Sequence, residues 1–137
     1  MASVSNAPAP EGFCPDHKRC PEGLVSGPAM MKCWGVPAQE LPETHPAWAL
    51  EADYLAQMCV NAVMALLPEK IMLGGGVMHR QWLLPMVHEK TLALFNGSIA
   101  HTAVEAGLRE YIVTGDSSGV LGARLLAKQA YAPGSRA

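Results

Sequence analysis

The sequence predicts an α/β fold in which a few strands are flanked by helices, preceded by an irregular proline-rich region. Three observations predict it. Apolar residues recur at three- and four-residue spacing through much of the chain after Ala47, and two short runs without apolar/polar alternation interrupt that spacing. Eight of the eleven prolines fall within the first 46 of the 137 residues.

The elements follow in chain order. Proline fixes φ and lacks an N–H donor, so residues 1–46 read as loop with one short helix near Ala29–Trp34. A loop of that length calls for a staple or a function. Trp48, Leu55, Met58, Cys59, Ala62, Val63, Leu66 and Leu67 then mark one apolar helical face, with Pro46 suited to the first turn and Pro68 ending the helix. Lys70–Leu73 reads as a buried strand that runs into Gly74-Gly75-Gly76. A second helix spans about Gln81 to Phe95, with Pro85 tolerable only near its first turn and Asn96-Gly97 as its stop. Tyr111-Ile112-Val113 reads as a second strand. Thr114–Ser118 forms a turn, with Asp116 as a cap, and Val120–Tyr131 a last helix whose Gly119 and Gly122 permit close packing. Strands without alternation are expected to be covered on both faces. Two short strands are marginal in water, so further strands are expected from another stretch of polypeptide.

Composition narrows the function classes. Ten Lys and Arg against twelve Asp and Glu give a net charge of −2, the wrong balance for a nucleic-acid partner. Half the residues are hydrophobic, enough for a core. The stretch Leu55–Leu67, broken by Gln57 and Asn61, is shorter than the ~18 residues of a membrane span. Residues 1–12 lack a charged start and an apolar run, so no secretory signal is expected and the location expected is cytoplasmic.

Three motifs carry chemistry. Cys14-Pro15-Asp16-His17-Lys18-Arg19-Cys20 puts two thiols and an imidazole within seven residues, a donor set that suits tetrahedral zinc. Cys33, His45 or a ligand from another segment could complete it. Leu73-Gly74-Gly75-Gly76-Val77-Met78 lies between a strand and a helix, where glycine lets backbone approach a ligand. It is neither a Walker A loop nor G-x-G-x-x-G. Glu22-Gly23-Leu24-Val25-Ser26-Gly27-Pro28-Ala29 reads by itself only as a turn and a helix start.

Together, Cys14-Pro-x-His17-x-x-Cys20-Pro-Glu22-Gly-Leu-x-Ser26-Gly-Pro28-Ala and, about 45 residues later, Gly74-Gly-Gly-Val-Met78 resemble the C-terminal half of a ROK-family sugar kinase of the fructokinase branch. The resemblance covers about Phe13 to Tyr131 and implies part of a ribonuclease-H-like, actin-type ATPase fold. It implies a zinc-binding region at 13–46 and a C-terminal α/β lobe at 47–131, between a disordered tail at 1–12 and a frayed one at 132–137. It further implies structural Zn2+ on Cys14, His17 and Cys20, with an upstream histidine as fourth ligand, and ATP contacts from Pro28, Gly74, Gly75, Gly76, Val77 and Met78. The implied reaction moves the γ-phosphoryl of Mg-ATP (hence Mg2+) onto a hydroxyl of fructose or a related hexose. Its phosphate loop, D-x-G-G-T, and its Asn-Asp base are not found around Asp16, Asp53 or Asp116, the three aspartates here. No catalytic residue is therefore assigned, and the chain alone is expected to be inactive without an N-terminal lobe. The alternative is a non-catalytic, zinc-stapled interaction or dimerisation module that uses an uncovered sheet edge.

The remaining conspicuous residues take plain roles. Met30, Met31, Met58, Met64, Met72, Met78 and Met86 are expected in the core, as are Cys59 and Cys33. His79, His88 and His101 are expected on the surface or at helix ends.

Overall fold

The structure, a computed structural model, describes residues 12–17, 20–99, 101–115 and 118–131. The expected tails at 1–12 (but for Gly12) and 132–137 and the Asp116 cap lie outside these residues. The described chain is a helix-dominated α/β arrangement whose order is α1 (Pro21–Val25), α2 (Gly27–Trp34), α3 (Pro46–Leu66), β1 (Ile71–Leu73), α4 (Leu83–Phe95), α5 (Thr102–Glu105), β2 (Ile112–Thr114) and α6 (Ser118–Tyr131).

The core lies between α3 and α4. Helix α3 starts where Pro46 needs no hydrogen-bond partner, and His45 Nδ1 caps it by accepting from the Ala47 N–H at 3.1 Å. It ends on Leu67 in the left-handed region, whose N–H donates to the Val63 carbonyl, with Pro68 next. Trp48, Ala52, Leu55, Cys59 and Val63 are buried along it. Helix α4 presents Leu83, Val87, Thr91 and Phe95 at four-residue steps, all buried. Its Pro85 falls in the first turn, as required, and Asn96 (φ +44°) stops it. Lys90 of α4 pairs with Asp53 of α3 at 2.6 Å.

β1 and β2 pair in parallel, Ile71 opposite Ile112 and Leu73 opposite Thr114, with α4 in the crossover between them. The half-buried His88 donates from Nε2 to the Ile112 carbonyl at 2.8 Å and so ties α4 to β2. His88 is thus a structural link rather than the surface residue expected. His79 is exposed, and His101 caps α5 through Nδ1. The sheet of the described residues has these two strands, and coverage of both faces does not hold: Met72 is 63% exposed. α6 is open to solvent as well, with Val120, Leu121, Leu125 and Leu126 exposed, and a Cβ added at Gly122 would meet nothing within 4 Å. The close packing expected of that glycine is absent among the described residues.

The proline-rich region departs most from expectation. It holds two helices where one was expected, because Pro21 and Pro28 occupy the first turns of α1 and α2, where a missing N–H costs nothing. Ser26 Oγ caps α2 by accepting from the Ala29 N–H at 3.2 Å, and Gly35 (φ +75°) closes it. Cys33 is exposed on α2, not buried as expected. Met31, Met64 and Met72 are exposed too, whereas Met30 and Met78 are buried in the core. No helix among the described residues is long and apolar enough to cross a membrane.

Candidate metal centre and adjoining pocket

Two sites flank α1 and α2. The first is the turn that precedes α1. Phe13 donates its N–H to the Gly23 carbonyl at 2.8 Å, which folds the turn back on α1, and Lys32 of α2 lies 5.4 Å over the Phe13 ring. Between these contacts, donor atoms of Cys14, His17 and Cys20 all lie within 4.8 Å of one another. Cys14 Sγ is 3.9 Å from His17 Nδ1 and accepts from the His17 N–H at 3.5 Å.

A tetrahedral zinc with bonds of about 2.3 Å to sulfur and 2.0 Å to nitrogen sets its ligand atoms roughly 3.5–3.8 Å apart. The three side chains therefore fit such an ion with small rotamer adjustments. Hydrogen bonds from the backbone at His17, the Cys20 thiol and the backbone at Asp16 lower the Cys14 thiol from 9.0 to about 7, toward the thiolate that binds metal. Neither Cys33 nor His45 joins the group. Cys33 is exposed on α2, and His45 is engaged elsewhere, by its cap at α3 and an edge-on contact of 4.9 Å with Trp34.

The second site is a cavity of about 270 Å³ that collects residues from four segments. Pro28 comes from the first turn of α2 and Gln39 from the short 3-10 turn at Ala38–Glu40. Trp48 comes from α3, and Gly76, Val77 and Arg80 come from the turn after β1. Gly75 (φ +98°) adopts a conformation that a side chain would strain, and its carbonyl accepts from the Met78 N–H. The turn thereby puts Gly76 and Val77 on the wall, whereas the expected contacts Gly74 and Gly75 do not line it and Met78 points into the core. Pro28 and the glycine turn, far apart in sequence, meet here.

Trp48 donates Nε1–H to the Pro42 carbonyl at 2.8 Å and meets Trp82 edge-on at 6.0 Å, and the Arg80 guanidinium lies 5.7 Å over the Trp82 ring. Sequence reasoning missed Gln39, Trp48 and Arg80. A basic residue four positions after the last glycine was a usable signal for Arg80. Trp48 was absorbed into the helix stripe, and nothing local marks Gln39. Elsewhere on α3, burial pushes the carboxyl of Glu51 from 4.5 up to about 8, and its Oε1 has no hydrogen-bond partner among the described residues.

The ROK family model matches residues 4–130. The chain belongs to the ROK family. The fructokinase of Pediococcus pentosaceus is 43% identical over 120 residues, which are 85% of this chain and 40% of that protein. Fructokinases of Zymomonas mobilis and Streptococcus mutans are 38% and 34% identical over similar spans. The chain spans about 40% of the length of the curated relatives it matches. Membership in this sugar-kinase family implies an actin-like fold, to which the parallel strand pair with its crossover helix is suited.

Proposed function

We propose that this chain is the nucleotide-facing, zinc-stapled portion of an ATP-dependent fructokinase. The observation that carries the reading is the convergence of Pro28 with Gly76 and Val77 on one cavity wall. A proline ring and a glycine turn form a flat apolar slot for a base, and the cavity lies just below the ~300–1,000 Å³ of small-molecule sites, enough for a nucleoside with its phosphates outside. Cys14, His17 and Cys20 would hold zinc, which supplies a structural cross-link that ties the turn to α1 and so sets where α2 and Pro28 begin.

The transfer itself, from Mg-ATP to a hydroxyl of fructose or a related hexose, needs a phosphate loop and an aspartate base. Neither motif surrounds the aspartates of this sequence, so both belong on the other lobe of the working enzyme. The exposed Met72 and the exposed apolar residues of α6 favour a companion lobe. They also favour the second reading, an interaction module that pairs through this surface without catalysis.

Metal analysis with calorimetric nucleotide titration of the purified chain separates the readings. The expected result is one zinc per chain, measurable ADP binding, and no fructose phosphorylation in a coupled assay. Zinc without nucleotide binding leaves the interaction module. Phosphorylation by this polypeptide alone overturns the assignment of base and phosphate loop to another lobe.

A further inference from the structure

We propose that Gln39 selects the purine accepted by the cavity and that Arg80 holds the anionic end of the same ligand. This inference rests on the nucleotide reading above and adds to it the residues that discriminate.

Among the described residues on the wall, three side chains can hydrogen-bond: Gln39, Trp48 and Arg80. The Trp48 indole is already committed to the Pro42 carbonyl. The Gln39 amide and the Arg80 guanidinium have no hydrogen-bond partner among the described residues, so both are available to a ligand. Among the described residues Arg80 is the one charged residue on the wall and no carboxylate shares that wall with it, so the ligand it favours is an anion. The Trp82 ring beneath the guanidinium fixes its direction at 5.7 Å, which limits the side-chain entropy lost on binding.

Gln39 decides the base. A carboxamide offers one donor and one acceptor side by side, the complement of adenine N7 and N6–H. Guanine presents O6 and N7, two acceptors, and leaves the carboxamide oxygen facing like charge. A bidentate match of this kind discriminates by about tenfold or more.

Calorimetry of the full chain with ADP, GDP and adenosine tests both roles. Wild type is expected to prefer ADP to GDP by about tenfold or more. Gln39→Ala should collapse that ratio toward one, and Gln39→Arg, with two donors, should turn it toward GDP. Arg80→Ala should weaken ADP at least several-fold and adenosine little, and Arg80→Lys should restore part of the loss. Gly76→Leu is the site control, because a Cβ there meets nothing within 4 Å and the backbone is not in the left-handed region. It should block ADP with an unchanged far-UV spectrum.

If Gly76→Leu blocks ADP but Gln39→Ala keeps the ADP-to-GDP ratio, the selector role is overturned and the nucleotide reading stands. An equal loss of ADP and adenosine in Arg80→Ala overturns the anion role. ADP binding that survives Gly76→Leu, or wild type that binds neither ADP nor adenosine, overturns the nucleotide reading and this inference with it.

Discussion

The α3–α4 pair and the segment before it are held together by different means. The pair buries Trp48, Leu55, Val63, Leu83, Val87 and Phe95 against one another, and each such side chain removed from water contributes about 1.5–3 kcal/mol. In residues 12–45 the buried apolar side chains are few: Cys14, Ala29, Met30, Ala38 and Leu41, with Phe13, Met31, Trp34 and Val36 exposed. That segment depends on caps, on proline-initiated turns and on whatever joins Cys14, His17 and Cys20. A region with little core can still be positioned if its ends are pinned, and here the pinned ends are where the candidate sites lie.

The largest expected effect breaks this comparison on its weaker side. Structural zinc contributes apparent free energies of order 10 kcal/mol in small metal modules, far more than any side chain in this segment. Cys14→Ser should abolish zinc retention and remove hydrogen-exchange protection from α1 and α2, while α3 and α4 stay protected. Cys33→Ala should keep full zinc stoichiometry, since Cys33 stands outside the donor group. Equal loss of protection across both regions would mean that they fold as one unit.

The converse substitution strikes the helix pair. Phe95 is 2% exposed at the end of α4, and Phe95→Ala should cost about 3–5 kcal/mol in denaturant unfolding. Zinc content of the folded fraction should not change.

The same contrast explains what was legible in the sequence. The helix pair was readable because its signals are local: a stripe at helical spacing between Pro46 and Pro68, and a second closed by Asn96-Gly97. The donor cluster was readable for the same reason, as three ligands of two types within seven residues. Of residues 21–34 the helix near Ala29–Trp34 was readable, but α1 and the first turn of α2 were not, because proline as a breaker and proline as a helix start look alike until the N-terminus is located. Exposure of Cys33, Met31 and Met72 was equally hidden, since residue type gives a propensity for burial but does not say which face of an element has a neighbour. Part of the cavity escaped for a third reason. Pro28 and the glycine turn were expected as ligand contacts, whereas Gln39 joins them only through tertiary packing and has no sequence neighbour that marks it.

A smaller effect, and one with a pH signature, belongs to Glu51. Its carboxyl is protonated in the folded chain up to about pH 8 and in the unfolded chain only to about 4.5, so the folded state binds the extra proton between those values. Stability is therefore expected to fall as pH rises from about 4.5 through 8. The ceiling is about 5 kcal/mol at ~1.4 kcal/mol per pH unit, and relaxation around the carboxylate should reduce the observed loss to a few kcal/mol. Glu51→Gln should flatten the profile and stabilise the chain at pH 8. A thermal-shift series from pH 5 to 8.5 on both proteins checks this, and an unchanged slope in the variant would assign the dependence to another group.

The smallest effect tests whether the pinned ends really position the cavity. Ser26 Oγ satisfies the Ala29 N–H at the start of an eight-residue helix that has Pro28 in its first turn. Ser26→Ala leaves that donor unpaired and should cost about 1 kcal/mol, whereas Ser26→Asp, which keeps an acceptor and adds favourable charge at a helix N-terminus, should cost less. If the cap only stabilises α2, both variants should bind ADP as wild type does once folded. If it also sets Pro28 against Gly76 and Val77, Ser26→Ala should weaken ADP at saturating zinc and Ser26→Asp should not. The second result is expected, because nothing else in residues 20–28 anchors the start of α2 by a side-chain hydrogen bond among the described residues.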